Sequence, residues 1–285
     1  MNEQIHPTVL KSSKGLPLRL DLHLDPDSEP RRAIIVCHGF KGFKNWGFFP
    51  YVAGRLTQGG FAVLRFDFSM NGIGERPEHF DRLDLFAQAT YSQEVDDLQR
   101  ILDWLHQDSP VAERLGPKGV GLLAHSRGSV PALTVAVENA EQIGAVVTWN
   151  GVAHALRYSE DMLRRWEEEG KMEFTNARTG QRMAIDFGFV VDAREHHRRF
   201  EPALNVARLG VPHLILHGDR DLAVDPTEAE ELRAGRLAPR CRLSWIEGGS
   251  HTLGAVHPFE GSTPQLERAL ELSADWFAQH LAVRS

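Results

Sequence analysis

Leu16, Leu18, Leu20, Leu22 and Leu24 alternate with Pro17, Arg19, Asp21 and His23. A period of two turns one set of side chains to a core and the other to a polar face, which predicts a half-buried strand. After the turn-rich residues 25–30 the pattern changes. Ala33–Cys37 is an unbroken apolar run, and comparable short runs recur at residues 61–64, 119–124, 145–149, 213–216 and at Cys241–Ile246. Such runs predict strands covered on both faces.

Between them the period lengthens. Val95, Leu98, Leu102 and Leu105 fall on one helical face, with Thr90 and Gln93 spaced as a capping box. Thr263 followed by Pro264 reads as an N-cap and first helical position, and Leu266, Leu270, Phe277 and Leu281 continue the stripe. Alternating buried strands and amphipathic helices predict an α/β fold with a mostly parallel central sheet flanked by helices.

Residues 152–208 interrupt this rhythm. They are far longer than an ordinary connection and heavily charged, as in Arg164-Arg165-Trp166-Glu167-Glu168-Glu169 and Arg194-Glu195-His196-His197-Arg198-Arg199. Asn176 to Gly180 reads as the tip of a hairpin joining residues 171–175 to 181–186. A long excursion inside a compact domain usually carries function. The expected organisation is therefore a core of residues 1–151 and 209–285, with residues 152–208 as an inserted cap of helices and a hairpin.

Composition narrows the function. The 285 residues carry 32 basic and 39 acidic side chains, a net charge of −7, which argues against a dedicated nucleic-acid binder. No apolar run approaches the ~20 residues that span a bilayer. The first residues show no basic region followed by an apolar core, so a cytoplasmic location is expected. Cys37 and Cys241, the only cysteines, sit in strand-like runs and do not suggest a disulfide scaffold. His196-His197 has no second ligand pair at metal-binding spacing, and no phosphate-binding glycine motif occurs, so neither metal nor cofactor is expected.

The chemistry concentrates at Leu122-Leu123-Ala124-His125-Ser126-Arg127-Gly128-Ser129. A buried strand runs into Ser126 and a helix starts at once. A turn this sharp strains the serine backbone, needs small residues two positions either side, and holds the hydroxyl clear. Alanine stands at the first small position, where glycine is usual. A helix N-cap serine is the plainer alternative. As a nucleophile, Ser126 needs a base and an acid to orient that base. Loops beyond the next two strand ends offer both: His217-Gly218-Asp219-Arg220-Asp221 through Asp225, and Gly249-Ser250-His251. Asp219 is expected to stabilise its own turn through an Asx-type bond, and Asp225, before Pro226, to help start a helix at Thr227, so Asp221 is the expected acid; His251, in a glycine-flanked loop before the terminal helix, is the expected base.

Two backbone N–H groups should meet the developing oxyanion. One is that of Arg127, directly after the serine; the other is that of Phe40, in the loop Cys37-His38-Gly39-Phe40-Lys41-Gly42. Gly39 allows close approach there, and His38 is expected to brace the loop. Trp46, Phe48, Phe49 and Trp149 lie on neighbouring segments, either lining a substrate pocket or packing in the core.

Together, His38-Gly39-Phe40, the Ala124 to Gly128 turn, His217-Gly218-x-x-Asp221 and Gly249-Ser250-His251 resemble the α/β-hydrolase superfamily over about residues 30–282. The nearest likeness is to bacterial serine esterases, including those resembling cinnamoyl and feruloyl esterases with a helix-and-hairpin cap. The resemblance implies Ser126 as nucleophile, His251 as base, Asp221 as orienting acid, and Phe40 and Arg127 as oxyanion donors. Some members carry the acid one strand earlier; here that place is Trp149-Asn150-Gly151, without a carboxylate. Ser126 excludes the cysteine of dienelactone hydrolases and the aspartate of haloalkane dehalogenases. The expected activity is cleavage of a small-molecule carboxylic ester through an acyl-enzyme. Peptide or amide hydrolysis, perhydrolysis and non-catalytic binding are the alternatives, and a homodimer is the alternative reason for residues 152–208.

Overall fold

The computed structural model describes residues 3–235 and 240–282. Eight strands form one sheet: β1 (Gln4–Lys11), β2 (Pro17–Leu24), β3 (Ala33–Cys37), β4 (Ala62–Phe66), β5 (Val120–His125), β6 (Ile143–Trp149), β9 (His213–Gly218) and β10 (Cys241–Ile246). A separate antiparallel hairpin consists of β7 (Lys171–Thr175) and β8 (Arg182–Asp186). The sheet order is β1-β2-β4-β3-β5-β6-β9-β10. Every pair from β4 to β10 is parallel, and β2 and β1 add an antiparallel edge.

The unbroken apolar runs have a simple cause. Successive side chains leave a strand on opposite faces, and both faces here are covered. Ala33, Ile35 and Cys37 join one core; Ile34 and Val36 join the other. The helix Tyr91–Gln107 and the helix Ser129–Glu138 supply the first core, while Phe49–Gln58 and the terminal helix Pro264–His280 supply the second. Both expected N-caps form. Thr90 accepts from the Gln93 N–H and Thr263 from the Leu266 N–H. The capping box is half made, because the Gln93 amide donates instead to buried Asp97.

Strand β1 was not evident from the sequence. Its residues are exposed or half-buried, and Pro7 pairs opposite Asp21 within it. An edge strand with one solvated face tolerates proline and carries little apolar signal.

Between β6 and β9 the chain builds the helices Glu160–Glu169, Gly188–Glu195, His197–Phe200 and Pro202–Arg208 around the hairpin. Trp166 stacks on Phe189, with ring centroids 6.0 Å apart and planes at 13°. These two residues, with Met183 and Ile185, are continuous with the main core. The Tyr91 hydroxyl donates to the Ala155 carbonyl at 2.8 Å, and Asn205 donates to Thr134 Oγ1 at 3.1 Å. Cys37 and Cys241 are both buried. Among the described residues no helix is long and apolar enough to cross a membrane.

Candidate active site

Strand β5 ends at His125, and Ser126 follows with φ of +55°, in the left-handed region. A side chain there is strained, a condition that persists only where surrounding structure enforces it. Here the enforcement is close packing. A Cβ on Gly128 would stand 2.6 Å from the His38 carbonyl oxygen, and one on Gly39 would stand 2.9 Å from Ser126 Cβ. The loop after β3 and the turn after β5 therefore meet backbone to backbone. That contact brings Phe40 and Arg127 onto one cavity wall beside Ser126. Neither Phe40 N–H nor Arg127 N–H donates to a protein acceptor among the described residues.

His38 does brace this loop. Its Nδ1 lies 3.0 Å from the Gly39 carbonyl and its Nε2 accepts from the Phe68 N–H at 3.3 Å, so Nδ1 carries the proton. Burial lowers its pKa to about 4, which keeps it neutral.

The second meeting of loops is between those after β9 and β10. A Cβ on Gly218 would overlap the Gly249 carbonyl. This approach brings Asp221 Oδ2 within 2.8 Å of His251 Nδ1. The other Asp221 oxygen accepts from the N–H groups of Ala223 and Val224, at 2.8 and 3.0 Å. Burial alone would raise this carboxyl, but the bond and charge of His251 and the two N–H groups outweigh it and hold the pKa below the ordinary aspartate value. The Asx-type turn expected of Asp219 is thus made by Asp221. Asp225 caps the helix Pro226–Ala234 as expected, accepting from Thr227 N–H at 2.9 Å. No hydrogen bond joins Ser126 Oγ to His251 among the described residues, though both line the same two cavities. Such bonds often tighten only when substrate is present.

Asn150 gave no signal as a carboxylate, yet it fastens this corner. It is buried, with φ of +49°, at the end of β6. Its Oδ1 accepts from the Gly218 N–H at 2.7 Å, while its Nδ2 donates to the carbonyls of Ser250 and His251 at 3.1 and 2.7 Å. One donor and two acceptors around the amide leave only this orientation satisfied. His125 Nε2 also donates to the His251 carbonyl, at 2.8 Å. Burial, helped by the nearby His251, lowers the His125 pKa to about 3, so it acts as a neutral prop. The available signal for Asn150 was its Asn-Gly dipeptide directly after a strand.

Two cavities flank Ser126 and His251. One, of about 310 Å³, runs under the helical insert between Tyr91, Val152, His154, Arg157, Tyr158 and Phe189. The other, of about 250 Å³, faces the hairpin tip and is walled by Lys41, Trp46, Phe49, Asn176 and Arg178. Trp46 and Phe49 thus line the second cavity, whereas Phe48 and Trp149 line neither of these two. Both are buried in the core on the far face of the sheet, where their rings lie 5.7 Å apart. Trp149 donates to Ser273 Oγ on the terminal helix at 2.9 Å. Strand alternation turns Trp149 into this core, the second of the two positions expected for these rings. Arg127 contributes more than its backbone. Its guanidinium bonds Glu94 at 2.7 Å and lies 4.6 Å over the Phe40 ring. Among the described residues no group of three metal-ligating side chains occurs.

Residues 34–264 match the profile of the Alpha/beta hydrolase family. The esterase domain of a Rhodothermus marinus protein superposes with a TM-score of 0.67 at 20% identity, covering 98% of this chain and all of that one. Est1E from Butyrivibrio proteoclasticus, with ferulic acid bound, gives a TM-score of 0.70 at 18% identity over 96% of this chain and 98% of its own. An acyl transferase of Photobacterium phosphoreum is 24% identical over 228 residues, 78% of this chain and 68% of the relative.

Proposed function

Since the chain belongs to the alpha/beta hydrolase family, we propose that it is a serine hydrolase cleaving small to medium carboxylic esters through an acyl-enzyme. The observation that carries this reading is the 2.8 Å bond between Asp221 and His251, with His251 and the strained Ser126 on shared cavity walls.

In this reading Ser126 Oγ attacks the ester carbonyl as His251 takes its proton. The Phe40 and Arg127 N–H groups receive the oxyanion, which is where such donors are most effective. His251 then protonates the departing alkoxide, and water repeats the cycle to free the acid. Asp221 keeps the imidazole in the tautomer with Nδ1 protonated and steadies its charged form. Residues 152–208 serve as a cap over a core of residues 1–151 and 209–285, and the two cavities receive the two ends of the ester. Est1E, with its bound ferulic acid, supports including hydroxycinnamate esters among the substrates to try. The acyl transferase relative supports a second reading in which an acceptor other than water takes the acyl group.

A fluorophosphonate probe tests the assignment. Mass spectrometry should find the adduct on Ser126, and hydrolysis of p-nitrophenyl acetate should cease with labelling. An adduct on Ser129 or Ser250, or full activity after Ser126 is modified, would overturn it.

A further inference from the structure

The two cavities differ in how their cations are neutralised. Under the helical insert, Arg127 pairs with Glu94, Arg157 with Glu228, and His154 with both Glu201 and Glu231. On the hairpin side, Lys41 and Arg178 have no carboxylate within 4.0 Å among the described residues, and no aspartate or glutamate lines that cavity. This is notable in a chain whose net charge is −7. Both cations are nevertheless held at the site. Lys41 follows the Phe40 oxyanion donor with φ of +57°, lines both cavities, and places Nζ 5.4 Å from the Phe40 ring and 5.6 Å from that of Phe174. Arg178, at the hairpin tip, lies 5.4 Å over Phe43 and 5.9 Å over Phe80. Glu78 is the acid whose charge reaches Arg178, but it sits 3.8 Å from His257 and lines neither cavity.

We infer that the ester substrate carries an anionic group, of the carboxylate or phosphate class, seated in the hairpin-side cavity against Lys41 and Arg178. The inference rests on the hydrolase reading and adds the substrate class. Partial burial lowers the Lys41 pKa, a penalty that a bound anion would relieve. Arginine and lysine together suit such a group, since the guanidinium fork binds two oxygens while the ammonium acts as a point charge. Apart from Lys41, which both cavities share, the cations of the other cavity are paired with carboxylates, and with Tyr91, Tyr158 and Phe189 that cavity fits the uncharged end of the ester.

The test compares esters differing by one charge. Methyl hydrogen glutarate is set against dimethyl glutarate for the carboxylate, and 3-acetoxypropyl phosphate against 3-methoxypropyl acetate for the phosphate. At low salt at least one charged ester should exceed its neutral partner in kcat/KM by about tenfold, as charge-assisted bonds permit. The advantage should shrink as salt screens the charges. Lys41→Met and Arg178→Gln should each pull the charged-to-neutral ratio toward one. Arg182→Gln, which removes a hairpin cation paired with Glu173 instead, should leave the ratio intact. Calorimetric titration of Ser126→Ala with the same esters reads the charge preference without turnover. Equal or weaker handling of both charged esters, or a ratio that survives both cavity substitutions, overturns the inference. Failure of the wild type to hydrolyse any ester would instead sink the hydrolase reading, with the titration still deciding the charge preference.

Discussion

In the floor of the site, Gly128 packs against the loop after β3, and Gly218 packs against the loop after β10, with backbone touching backbone at both places. Residues 152–208, besides the core packing of Trp166, Met183, Ile185 and Phe189, are joined to their surroundings by single side-chain bonds. Ser92 Oγ bonds Asp192, Gln181 donates to the Phe80 carbonyl at 2.9 Å, and Arg199 meets Glu138 at 2.7 Å. Backbone contacts of the first kind admit no side chain at all, so they change in all-or-none steps. Side-chain contacts of the second kind can be exchanged singly, often for less than ~1 kcal/mol when exposed. The proposed function accordingly places the chemistry on the floor and expects selectivity to vary with the insert.

That contrast can be broken most sharply at Asp221. Asp221→Asn should keep the fold and the Asx turn while lowering kcat by up to about 10⁴-fold, because an amide favours the wrong imidazole tautomer. Steady-state kinetics beside a thermal melt would check this, and a kcat within tenfold of wild type would remove Asp221 from the assigned role. A smaller loss is expected at Asn150. Asn150→Ala strands the buried Gly218 N–H, costing about 1–3 kcal/mol of stability. As a positioning residue it should also lower kcat by about ten- to a hundredfold in fully folded protein, since small misplacements near the chemistry are costly. Loss of stability with kcat unchanged would reduce it to a structural strut.

The gentlest test lies in the insert. Replacing residues 171–186 with a short glycine-serine link should alter kcat/KM ratios among acetate, butyrate, octanoate and hydroxycinnamate esters by several fold. Acetate hydrolysis should persist, because Ser126, Asp221, His251, Phe40 and Arg127 all lie outside the deletion. Unchanged ratios would mean that the hairpin does not govern selectivity, and would favour a subunit surface instead.

What could be read from the sequence follows the range of each interaction. Strands covered on both faces announce themselves in five residues, and a strand–serine–helix turn in eight. Even the hairpin over residues 171–186 was legible, because its turn and alternation are local. The exposed strand β1 was not, having little apolar pattern to display. Asn150 escaped notice because its partners lie far along the chain, at Gly218, Ser250 and His251, and meet only when β6, β9 and β10 align. For Phe48 and Trp149 the choice between pocket and core stayed open for the converse reason: adjacency along the chain does not say which face of the sheet a ring will take. The choice among Asp219, Asp221 and Asp225 drew on turn chemistry, and there the Asx bonds themselves fell to Asp221.

The left-handed backbone at Ser126 has one more consequence. An ordinary residue in that conformation sits roughly 1–2 kcal/mol above its relaxed state. The cooperative packing of the sheet and its loops absorbs this once, while the molecule folds. In the proposed reaction each arriving ester would then meet a hydroxyl already aimed, with no orientational search to repeat from one turnover to the next. The cost belongs to the lifetime of the protein, and in the proposed reaction the benefit would recur with every turnover.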